Sequence, residues 1–98
     1  MIINQSGAPG EQAMQGELVK GERVDIASLT ELTPGQYARH KGTWYACCPN
    51  GLIANLGNHT VMPHEDGSIT VSPSILCTRD SETRWHGTLQ KGVWKDLG

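Results

Sequence analysis

Closely spaced turn signals cut this chain into short pieces, and short pieces fold as strands more readily than as helices. From Tyr37 onward, apolar stretches are separated by Lys41-Gly42, Pro49-Asn50-Gly51, Gly57-Asn58, Pro63-His64-Glu65-Asp66-Gly67 and Gln90-Lys91-Gly92. Asn-Gly and Asp-Gly suit tight hairpins because both residues tolerate positive φ. Twelve glycines and five prolines in 98 residues leave little room for a long helix.

The stretches between the turns carry β-formers. Thr43-Trp44-Tyr45-Ala46-Cys47 is rich in them, and Ser68-Ile69-Thr70-Val71 alternates polar and apolar side chains as a half-buried strand does. Leu52 to Leu56 returns after a turn. Trp85-His86-Gly87-Thr88-Leu89 and Val93-Trp94-Lys95 form a terminal hairpin. Pro73 interrupts one run, so Ser72-Pro73-Ser74 reads as a bend or a sheet edge. Residues 17–26 read as an exposed strand or a hairpin around Lys20-Gly21. Residues 27–35 hold one helical turn, capped by Ser28 or Thr30 and stopped at Pro34-Gly35. The expectation is a mainly β chain: a small antiparallel sheet or meander of about six short strands, with at most one short helix. Residues 1–16 form a looser N-terminal arm or loop, and residues 17–98 a single small β domain.

A net charge of -2 argues against nucleic-acid or membrane binding driven by bulk charge. No apolar run approaches the ~20 residues of a membrane-spanning helix, and the start reads as no signal peptide. Three cysteines, an odd number, fit a reducing cytoplasm. Cys47 and Cys48 are adjacent, so on a strand they point to opposite faces. A disulfide from either to Cys77 is possible on paper, and the compartment argues against it.

Cys47 or Cys48, with His59, Cys77 and His86, supplies two thiolates and two imidazoles, a donor set that suits tetrahedral zinc. Cys48, His59, Cys77 and His86 are the expected metal residues, and zinc would tie a small sheet together. The C-x2-C pair of a strong zinc signal is absent. A Cys–His nucleophilic pair can also be drawn, but spacing does not single one out. Trp44, Trp85 and Trp94 suit the core of a chain without Phe. If Trp85 and Trp94 instead pair on an exposed face, they form a binding platform beside Arg84.

Residues 69–76 (Ile-Thr-Val-Ser-Pro-Ser-Ile-Leu), then Trp85-His86-Gly87 and Gly92-Val93-Trp94, resemble a family of small phage and prophage proteins of unknown function. Some of these carry an automatic ammonia monooxygenase label. The shared pattern is an early Cys-Pro-x-Cys, a later His, a Pro-Ser-Ile/Leu strand and a Cys-His pair before a final hairpin. Cys48-Pro49, His59, Ser72-Pro73-Ser74-Ile75 and His86 match it. Gly51 and Trp85 stand where the family has Cys. The resemblance covers residues 44–94 and implies a compact β fold with a zinc-ribbon-like site. The resulting expectation is a phage-encoded binding or accessory protein without catalysis in the host cytoplasm. It would act through protein contacts, on a host factor or on itself, with residues 1–16 mediating a homo-oligomer. The alternative is a metal-stabilised nucleic-acid module or a small metal-dependent enzyme.

Overall fold

The computed structural model describes residues 18–98; the expected arm and its part in self-association lie outside them. Among the described residues there are nine strands: β1 (Leu18–Lys20), β2 (Glu22–Arg23), β3 (Gln36–His40), β4 (Thr43–Cys47), β5 (Ile53–Asn55), β6 (Thr60–Pro63), β7 (Ile69–Arg79), β8 (Glu82–Gln90) and β9 (Val93–Asp96). The one helical element among them is a 3-10 turn, Leu29–Glu31, with Ser28 as its N-cap. The mainly β expectation therefore holds. Among the described residues, no helix is long and apolar enough to cross a membrane.

The strands form two sheets rather than one meander. A five-stranded sheet runs β1-β9-β8-β7-β6, and a four-stranded sheet runs β2-β3-β4-β5. All pairings are antiparallel except β2 with β3. Lys20-Gly21 is not a hairpin. It is where the chain leaves one sheet and enters the other. Gly21 donates its N–H to Gly92 O at 2.7 Å, and a Cβ there would lie 2.7 Å from Gly35 O and 2.8 Å from the Trp94 indole nitrogen. Only a residue without a side chain lets the two sheets approach so closely at the crossing.

Pro73 does not end its strand, because β7 absorbs it in a bulge. Val71 faces Leu89 and Ile75 faces Gly87, so the extra residues of β7 sit where the ladder is interrupted. A proline fits there because it has no N–H to contribute. The Ser72–Pro73 peptide is cis.

The inner faces of the sheets share a core that includes Tyr37, Cys48, Leu56, Ile69, Ile75, Leu89, Trp85 and Trp94. The rings of Trp85 and Trp94 meet edge to face at 5.4 Å. Trp94 also donates its indole N–H to Gly35 O at 2.9 Å, which fastens one sheet to the other. Trp85 folds over Gly87, where any Cβ would collide with the Trp85 ring and Lys95 O. A second, smaller cluster lies on the far face of the four-stranded sheet. There Val24, Ile26, Leu29 and Leu32 cover Ala38, Tyr45 and Cys47. Cys47 and Cys48 do face opposite ways, and Cys48 takes the inter-sheet side.

Candidate functional site

The four expected metal residues do not meet around one point. Cys48 and Cys77 are joined to each other as a disulfide, with Cα atoms 7.0 Å apart. This corrects the zinc expectation: the two sulfurs bond to each other, and no group of three or more His, Cys, Asp or Glu able to hold a metal exists among the described residues. The physical reason is register. Cys48 extends the inner face of β4 and Cys77 lies on the inner face of β7, so both thiols enter the gap between the sheets. Cys47, on the opposite face, is a free thiol, and its burial pushes its pKa up.

His59 and His86 come together instead at Ser74, beside the β7 bulge. His59 Nε2 donates to the Ser74 carbonyl at 3.3 Å, which leaves His59 Nδ1 buried without a partner. The Ser74 hydroxyl and His86 Nε2 share a hydrogen bond of 2.9 Å. The histidines therefore order the bulge from two sides.

Trp85 and Trp94 are 8% and 0% exposed, which corrects the platform expectation. Their positions alternate with His86, Thr88 and Lys95, so they point inward where the large rings fill the space between sheets. Arg84 is exposed near the β7–β8 turn. It pairs with Glu82 at 3.4 Å and lines a shallow depression with Asn50, Leu52, Arg79 and Asp80.

Two surface features were not singled out from sequence. The first is the outer face of the five-stranded sheet. Leu76 is paired with His86, and Leu97 bonds through its N–H to His86 O, so the three lie side by side across β7, β8 and the end of β9. Leu76 is 55% exposed and Leu97 37%. Leu18, 65% exposed, sits beside Lys95 on β1 at the sheet edge. The alternation of β7 and β8 held this information, but the expected break at Pro73 hid the register.

The second is a cleft of about 300 Å³ at the crossing between the sheets. Lys20, Arg23 and Lys91 line it, with Asp66 on one side and Tyr37 reaching it from the core. The Arg23 guanidinium is held over the Trp44 ring, 5.1 Å from its centre. Burial raises the pKa of the Tyr37 phenol, with nearby Asp66 adding to the shift and Arg23 opposing it. Asp66 accepts from Ser68 N at 2.9 Å and Ser68 Oγ at 2.6 Å, and these bonds hold its carboxyl below the usual carboxylate range. The turns on either side are tied through Thr70, whose Oγ1 accepts from Lys91 N at 2.9 Å and bonds His64 Nε2 at 2.7 Å. Lys91 lies far along the chain from Lys20 and Arg23, and only the fold brings it to them.

No protein-family model, curated protein or solved structure matches this chain. The comparisons therefore add no support to the phage-family resemblance.

Proposed function

We propose that this chain is a small, non-catalytic binding module that engages a protein partner through the outer face of its five-stranded sheet. The observation that carries the reading is the row Leu76, His86 and Leu97, with Leu18 beyond it at the sheet edge. Exposed leucines gathered on one face of a sheet suit a docking surface, whereas scattered ones need no explanation. Lys95, exposed and paired with Leu18 on that sheet, borders the row, so the fitting partner has an apolar patch with a carboxylate beside it. The phage origin belongs to this reading through the resemblance of residues 44–94. The host cytoplasm belongs to it through the odd cysteine count, and the Cys48–Cys77 bridge weighs against that compartment.

The test compares the native chain with a variant carrying both Leu76→Glu and Leu97→Glu. Sedimentation velocity reads self-association, and capture from host lysate followed by binding of the purified candidate reads a foreign partner. Both substitutions are at exposed positions, so the fold should survive. The expected result is an association that the variant loses. A native chain that stays monomeric and captures nothing the variant does not would overturn the proposal.

A further inference from the structure

We propose that the cleft at the sheet crossing is a binding site for a small ligand that carries a compact anion, a phosphate or a carboxylate. Three of the eight Lys and Arg residues of an acidic chain line this one cavity. Among the described residues, none of the three is within ion-pair distance of a carboxylate; the single such pair is Arg84 with Glu82. The lone acidic side chain of the cleft, Asp66, spends its hydrogen bonds on Ser68, so it reduces the positive field without quenching it. Three positive groups against one negative leave the cavity net cationic.

The donors are of kinds that suit an anion. Stacking on Trp44 restrains Arg23, so its planar fork loses less freedom when it binds. Lys20 and Lys91 supply point charges. The Tyr37 hydroxyl makes no hydrogen bond to another described residue, and its raised pKa keeps it a donor through neutral pH. Gly92, at φ +77°, keeps the approach to that hydroxyl clear: a Cβ there would lie 2.8 Å from Tyr37 Oη and 3.0 Å from Ser68 Cβ. The backbone N–H groups of Gly21 and Gly92 are already used, donating to Gly92 O and Ile69 O, so the grip must come from side chains. A cavity of about 300 Å³ holds more than a bare ion, which points to a small phosphorylated or carboxylated molecule.

The experiment titrates the full chain with inorganic phosphate and, separately, with succinate, keeping ionic strength constant with chloride and following NMR shifts. The expected result is a saturable change centred on Lys20, Arg23, Tyr37 and Lys91. Lys20→Gln and Lys91→Gln should each weaken it about tenfold while the far-ultraviolet spectrum stays unchanged. Saturation by phosphate alone assigns a phosphoryl ligand, by succinate alone a carboxylate, and by both a less selective site; each outcome supports the proposal. Shifts that grow linearly and match those of chloride would overturn it. So would saturable binding that survives both lysine substitutions.

Discussion

The two sheets of this molecule are covered to different extents, and the connections explain why. The four-stranded sheet packs the other sheet on one face and the Val24, Ile26, Leu29 and Leu32 cluster on the other. That cluster comes from the link between β2 and β3. A parallel pair cannot be joined by a tight turn and needs a crossover of about a dozen residues. The crossover must pass over the sheet, and its apolar side chains cover it. The five-stranded sheet is antiparallel throughout, and β6 to β9 are joined by short turns with no chain to spare. On the outer face of that sheet Leu76 is left 55% exposed. One parallel pair thus decides which surface is buried and which is left for contact.

The largest effect should come from the residue that joins the sheets. Trp94→Ala removes a fully buried indole and its bond to Gly35 O, and should cost about 3–5 kcal/mol in a denaturant melt. Trp44→Ala, in a half-buried ring at the core margin, should cost clearly less. Equal losses would mean that the sheets are not fastened through Trp94. Next comes the bridge. Replacing Cys48 and Cys77 together by Ala should cost about 2–4 kcal/mol, because a cross-link over 29 residues constrains the unfolded chain. Alkylation of the denatured, unreduced protein should find one free thiol, Cys47. Three free thiols would remove the bridge and this prediction with it.

The crossover offers a finer test of the comparison. Leu32→Ala should cost about 2 kcal/mol, at the low end for a buried leucine, since its cluster is small and Leu32 keeps 7% exposure. A loss under about 0.5 kcal/mol would mean that the crossover covers the sheet without stabilising it. Alkaline pH probes both sides of the same sheet. Burial raises the folded-state pKa of Cys47 on its outer face and of Tyr37 on its inner face. A raised pKa gives stability that is complete below the unfolded value and is lost as pH rises through the folded one. Melting temperature should therefore fall as pH climbs past about 8.5 and again past about 10, the ordinary thiol and phenol values. Cys47→Ala should flatten the first part of that fall and leave the second.

Much of the fold is legible in the sequence because turns and alternation are local signals. The Ser28 cap, the turns at Lys41-Gly42 and Gln90-Lys91-Gly92, and the opposite faces of Cys47 and Cys48 all follow from neighbouring residues. The division into two sheets is not local. It depends on Gly21, whose role comes from Gly35 and Trp94 far along the chain. The metal set illustrates the same limit: donor types gave a chemically sensible group, but register sent two thiols inward to each other and two imidazoles to Ser74. The Lys20, Arg23 and Lys91 cleft was missed for the converse reason, since only the sheet crossing brings Lys91 to the other two.

The smallest expected effect bears most directly on function. Leu76→Ser alters a side chain that is 55% exposed and points away from the core, so it removes little buried apolar area. Stability should change by no more than about 0.5 kcal/mol. Ile75→Ser, one residue earlier, introduces a hydroxyl at a position that is 0% exposed and should cost several kcal/mol. The pair tests the alternation of β7 just after its bulge, where an error of one residue would exchange the two outcomes. If Leu76→Ser proves the more damaging, the register beyond Pro73 is wrong and the leucine row faces the core. If the damage falls on Ile75, Leu76 carries little of the fold's stability, and any partner lost on its substitution is lost by contact alone.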